Sequence, residues 1–132
     1  MATVTADITL NSGDLSNNSL ALYNTSTLTK AGGVDGLDTF ISASKTYTSS
    51  STVDLIAVTG YTASAANKVY ISNTSTANPS TEYFTIAVES EEIGRLYGGD
   101  WMFFPWDANT DDDITITPSV ATTMTVEYAV FS

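Results

Sequence analysis

Val4, Ala6, Ile8 and Leu10 alternate with Thr5, Asp7 and Thr9, the period-two pattern of a strand with one face turned to a core. Asn11-Ser12-Gly13-Asp14 ends that strand. Leu20 and Leu22 on one face, with Tyr23 on the other, predict a second strand over 19–24, stopped by the polar run Thr25-Ser26-Thr27. Ala31-Gly32-Gly33-Val34-Asp35-Gly36 reads as a glycine-rich loop, and the ambiguous stretch 37–47 offers a short strand over 39–42. The apolar run Val53 to Val58 predicts an interior strand within 52–59. Alternation returns over 68–73 and again over 83–88, where Phe84, Ile86 and Val88 share a face; Glu89-Ser90-Glu91-Glu92 separates that strand from the next.

The densest apolar stretch runs from Ile93 to Trp106, with five of the fourteen aromatic residues between Tyr97 and Trp106. Gly98-Gly99 supplies two positions free to turn tightly, so strand ends are expected on either side. Trp101 and Phe103 fall on one face and Met102 and Phe104 on the other, which predicts a central strand covered on both sides and limited by Pro105. Beyond the acidic segment 107–113, strands are expected over 114–117 and 122–131, the latter with Met124, Val126, Tyr128 and Val130 inward. Short strands separated by Gly, Pro, Ser and Asn clusters predict an all-β fold. The expectation is a single antiparallel β-sandwich domain over residues 1–132, jelly-roll-like, with about eight strands. Val4, Ile8, Leu22, Leu55, Phe84, Ile86, Trp101, Phe103, Val126 and Tyr128 are expected in its core.

Composition reinforces the strand reading: 22 Thr and 16 Ser outnumber the Glu, Lys, Arg and Leu that fill exposed helices. A 42% hydrophobic content argues against disorder. Four Lys and Arg stand against fifteen Asp and Glu, a formal charge of −11. Phosphate backbones and anionic lipids would be repelled, so neither nucleic acid nor a membrane is an expected partner. No basic segment followed by an apolar run opens the sequence, and no apolar run reaches the length of a membrane helix, so synthesis in the cytoplasm without secretion is expected.

The chain has neither Cys nor His, which removes disulfides, thiolate nucleophiles, Ser-His-Asp triads and the commonest transition-metal ligands. No cofactor is expected. Asp107, Asn109 and Asp111 place oxygen ligands at alternating positions, like the first half of a calcium loop. The turn glycine is replaced by Asp112 and the closing glutamate by Pro118, so a solvated hairpin loop is the preferred reading. Glu89, Glu91, Glu92 and Asp100 could contain a glycosidase pair, but a run of acids between strands reads first as an exposed turn. Trp101, Trp106, Tyr97 and Phe103 admit three readings: core packing, which the alternation favours, a protein interface, or a sugar platform. Tyr97, Trp106 and Phe131 are the candidate interface residues. The sequons at Asn17, Asn24 and Asn73 read as by-products of a chain rich in Ser, Thr and Asn.

Ile93-Gly94-Arg95-Leu96, Gly98-Gly99-Asp100-Trp101-Met102-Phe103-Phe104-Pro105, the Asp-rich loop, Ile114-Thr115-Ile116-Thr117 and Thr125-Val126-Glu127-Tyr128-Ala129-Val130-Phe131 together resemble small β-sandwich virion structural proteins of tailed, especially marine, bacteriophages. The resemblance implies a non-enzymatic capsid decoration or tail protein, made in the host bacterial cytoplasm and located in the virion. It also implies binding to major capsid or other virion proteins as a homo-oligomer, with a trimer as the expected state. The alternative from the aromatic content is a carbohydrate-binding or tail-fibre module that recognises a cell-surface glycan.

Overall fold

The computed structural model describes residues 3–15, 19–29, 36–37, 39–65 and 67–132. Among them are ten strands, all paired antiparallel. The chain divides into two compact units, Met1–Asp38 and Thr39–Ser132.

The first unit is a two-stranded ribbon of β1 (Val4–Ser12) and β2 (Leu20–Leu28), in register from Val4 opposite Leu28 to Ser12 opposite Leu20. Thr25-Ser26-Thr27, expected to end a strand, lies inside β2 opposite Asp7, Ala6 and Thr5. Cross-strand pairing overrides the local polarity there, because Thr suits a pleated, solvated face. The Ser12 hydroxyl holds the chain after β1, donating to Asp14 at 2.9 Å and accepting the Leu15 N–H at 3.1 Å. Opposed residues share a face, so Val4, Ala6, Ile8, Leu10, Leu20 and Leu22 collect on one side and Thr5, Asp7, Thr9, Tyr23 and Thr25 on the other. The expected burial of Ile8 and Leu22 is corrected: both are exposed, Leu22 at 55%, and Val4 is half-buried. The glycine-rich segment 31–35 and the sequon residue Asn17 lie outside the described residues.

The second unit holds β3 (Phe40–Tyr47), β4 (Val53–Ile56), β5 (Asn67–Asn73), β6 (Tyr83–Val88), β7 (Glu91–Tyr97), β8 (Trp101–Trp106), β9 (Ile114–Pro118) and β10 (Met124–Phe131). They form two four-stranded sheets, ordered β3-β10-β5-β8 and β4-β9-β6-β7. The pairs β3·β10, β4·β9, β5·β8 and β6·β7 are nested one inside the next. The unit is therefore one long ribbon doubled back at Glu89-Ser90 and folded over so that its strand pairs alternate between sheets. Inward side chains of both sheets meet in one core, including Leu55, Val69, Ile71, Phe84, Ile86, Ile114, Ile116, Met124, Val126 and Val130. Tyr47 of the first sheet meets Phe84 of the second edge-on, ring centroids 6.0 Å apart. This is a β-sandwich arrangement, its two inner faces meeting as the alternation of β5, β6, β9 and β10 predicts.

Two expectations about strand position are corrected. The Val53–Val58 run is an edge strand, and a bulge between Asp54 and Ile56 lets the consecutive residues Leu55 and Ile56 both point inward. The strand over Trp101–Phe104 is also an edge, which is why Pro105 sits inside β8 without costing a ladder bond. Only Met102, Phe104 and Trp106 of β8 face the core; Trp101, at 52% exposure, and Phe103 lie on the outer face. Strands do end on either side of Gly98-Gly99, at Tyr97 and Trp101, and because they belong to different sheets the turn is a corner of the sandwich.

Candidate functional site: surfaces and clefts

The corner after β7 is fixed by a dense set of bonds. Asp100 N–H donates to Tyr97 O at 2.9 Å, and Tyr97 N–H donates to the Asp100 carboxylate at 2.9 Å. Asn73, fully buried, donates from Nδ2 to Leu96 O at 2.8 Å and accepts the Ser75 N–H on Oδ1 at 2.9 Å, tying the two sheets and the following loop together. Asn73 is thus a structural residue. Of the acids weighed as a hydrolytic pair, Asp100 caps this turn, and Glu92 accepts the Arg95 Nε–H at 3.1 Å while the guanidinium lies over the Tyr83 ring.

The acidic segment 107–113 is not the solvated hairpin expected, because β8 and β9 belong to different sheets and the segment crosses between them. It is stapled down at several points. Ala108, in the left-handed region at φ 52, is buried in the core. The Trp106 indole donates to Asp112 O at 2.9 Å, and Asp113 accepts the Val58 N–H at 2.7 Å. Asn109 Nδ2 donates to Asp107 at 2.6 Å, so two of the three candidate calcium ligands bond each other. Desolvation first, then a hydrogen bond with Asp107 and the charges of Asp107, Glu89 and Asp111, hold the Asp112 carboxyl above its ordinary value. Among the described residues no group of three or more His, Cys, Asp or Glu is placed to hold a metal ion.

The three candidate interface residues are not brought together. Tyr97 is half-buried on the outer face of the β4-β9-β6-β7 sheet, where its ring lies 5.1 Å from that of Tyr83. Phe131 is half-buried on the outer face of the other sheet, between Phe40 at 5.1 Å and Phe103 at 6.5 Å. Trp106 is corrected from surface to core: it is 4% exposed, and Tyr61 packs against it at 5.2 Å. An edge strand's alternation cannot be read for inside and outside when both faces carry aromatics.

Open depressions among the described residues of the second unit include two that bear on function. One, of about 460 Å³, is apolar and lined by Val88, Ile93, Phe104, Pro105 and Trp106. The other, of about 360 Å³, lies on the outer face of the β3-β10-β5-β8 sheet and is lined by Ser42, Ser44, Tyr70, Glu127 and Ala129. Sequence reasoning missed this grouping, since its residues come from three strands that only pairing brings side by side. The first unit adds a third surface, the apolar face of the ribbon. Among the described residues no helix is long and apolar enough to cross a membrane. Compared with models of known protein families and with curated proteins, the chain matches none.

Proposed function

We propose that the protein is a non-enzymatic virion structural protein of a tailed bacteriophage, a capsid decoration protein that works by assembly with itself or with shell proteins. The observation that carries this reading is the ribbon of the first unit. Ile8, Leu10 and Leu22 are 37%, 49% and 55% exposed on one uncharged face, in a protein whose charge of −11 otherwise opposes close approach. A two-stranded ribbon is marginal in water until its apolar face is covered. The nine paired positions span about 30 Å by about 10 Å. Covering that face removes on the order of 300 Å² from water, worth roughly 5 to 8 kcal/mol at about 25 cal/mol per Å² before the entropy of association is subtracted.

The fold of the second unit is compatible with this role. Its nested pairs and its sheet orders are those expected of a jelly roll, an architecture used in viral capsids and in lectins. The test mixes the purified chain with undecorated capsids of the parent phage, images the particles, and measures the mass of the free protein by light scattering. Bound density or a discrete oligomer such as a trimer, lost on Leu10→Asp with Leu22→Asp, is the expected outcome. A monomer that binds no particle, and that the double substitution leaves unchanged, refutes it.

A further inference from the structure

We propose that the outer face of the β3-β10-β5-β8 sheet carries a binding site for a neutral glycan, seated in the depression over Ala129 that Tyr70, Ser42, Ser44 and Glu127 line. This goes beyond the assembly role and does not rest on it.

Strand register places the groups in two rows across the sheet. Ser42, Ala129, Tyr70 and Phe103 form one; Ser44, Glu127, Ser72 and Trp101 form the next. Ala129 brings only a methyl group to the middle of the first row, so the floor drops there between higher walls. On the β5 side stands Tyr70, backed by the Trp101 ring of β8, centroids 6.2 Å apart and inclined by 34°. On the other stands Glu127, exposed on the central strand β10. Two strand spacings, about 10 Å, separate the Ser42 and Tyr70 backbones on either side of Ala129, which leaves room for about one pyranose ring.

The polar groups of the groove are unspent. Among the described residues, the Glu127 carboxylate and the hydroxyls of Ser42, Ser44 and Tyr70 have no hydrogen-bond partner. Elsewhere on the unit, outward hydroxyls pair across strands, Thr46 with Thr125 at 3.2 Å and Thr52 with Thr117 at 2.7 Å. A flat aromatic wall, a carboxylate and free hydroxyls around a shallow hollow match the two sides of a sugar: a C–H face that packs on a ring, and an edge of hydroxyl donors for a carboxylate.

Charge narrows the ligand class. Glu127 and the overall charge of −11 disfavour anionic sugars, nucleotides and phosphates. A protein partner would have to desolvate Glu127 and supply a cation to pair it, whereas interface centres favour apolar anchors. Sugar hydroxyls satisfy the carboxylate and leave its outer lone pairs in water.

The chain contains two tryptophans, of which Trp101 is exposed and Trp106 is 4% exposed, so quenchable emission reports on Trp101. The full-length protein is titrated with five neutral trisaccharides: cellotriose, maltotriose, mannotriose, galactotriose and N-acetylchitotriose. At least one is expected to shift the emission saturably and to shield it from acrylamide. Calorimetry with that sugar should show an affinity loss of about tenfold or more for Glu127→Gln, the scale of a charge-assisted hydrogen bond. Tyr70→Ala should weaken it likewise, while Leu22→Asp on the ribbon leaves it unchanged and so separates this site from the assembly surface. Circular dichroism confirms that each variant is folded. The proposal is overturned if none of the five sugars perturbs Trp101, or if Glu127→Gln binds as well as the parent protein. It also fails if Trp101 emission changes with protein concentration alone and light scattering shows a dimer lost on Tyr70→Ala, which would make this face a contact between copies.

Discussion

Adjacent glycines at the Tyr97–Asp100 corner are needed for different physical reasons, and replacing each by alanine separates them. A methyl group at Gly98 would lie 2.5 Å from Pro79 Cβ, 2.6 Å from Ser75 O and 2.7 Å from Pro79 Cα. Two of those atoms are backbone and the third belongs to a proline ring, so no rotamer change relieves the clash. The loop would have to retreat by about 1 Å to restore ordinary contact. It is held by Gly98 N–H to Pro79 O at 3.1 Å, by Ser75 N–H to Asn73 Oδ1 at 2.9 Å and by Thr125 N–H to Ser75 Oγ at 2.8 Å. Overpacking of about 1 to 3 kcal/mol, plus about 1 kcal/mol for each of one or two weakened bonds, gives roughly 2 to 5 kcal/mol for Gly98→Ala. A methyl group at Gly99 would meet nothing within 4 Å, but the residue adopts φ +91. Its alanine variant pays only for the left-handed backbone, about 1 to 2 kcal/mol. Urea unfolding followed by the emission of buried Trp106 measures both, at constant m-value. Pro79→Gly should recover part of the loss in Gly98→Ala and none in Gly99→Ala. A Gly98→Ala cost below about 0.5 kcal/mol, or one smaller than that of Gly99→Ala, would refute this account.

Phe84→Ala should cost about 3 to 5 kcal/mol in the same assay, because the side chain is fully buried between the sheets against Tyr47; a loss under about 1 would remove it from the core. Tyr47 has a buried hydroxyl with no partner, so Tyr47→Phe is expected to be neutral or stabilising by up to about 1 kcal/mol. Burial first, then the charge of Tyr128, raises the Tyr47 phenol above 10.0. The folded state therefore keeps its proton longer than the unfolded chain, and stability present below the ordinary value falls as pH rises through it. Tyr47→Phe should flatten that alkaline slope in unfolding measured across pH, and an unchanged slope would contradict the assignment. Calcium calorimetry on the acidic crossing should show no tight stoichiometric binding, since Asn109 and Asp107 already bond each other; a sub-micromolar site abolished by Asp107→Ala would contradict this.

Period-two alternation in the sequence by itself determined that the chain is β-structured, and it located the inward faces of β5, β6, β9 and β10. In those strands one face is wholly or almost wholly apolar and the other is mixed with Thr, Ser, Lys or Glu, so the water-excluding face is written in side-chain type alone. The apolar alternation of Val4 to Leu10 looks the same, yet its face is exposed, because burial requires a second layer and a strand's pattern carries no information about what lies across from it. Trp101 and Trp106 show the same limit. Both sit in β8, where both faces are aromatic, and only membership of an edge strand decides that Trp106 enters the core while Trp101 stands outside. The sheet orders, the nested pairing and the corner role of Gly98-Gly99 were likewise settled by tertiary structure, since pairing joins residues as far apart as Phe40 and Phe131. The depression follows from that pairing: Ser42, Ala129 and Tyr70 become a row only through contacts between strands distant in the chain, and no local signal marks residues that non-local hydrogen bonding alone makes neighbours.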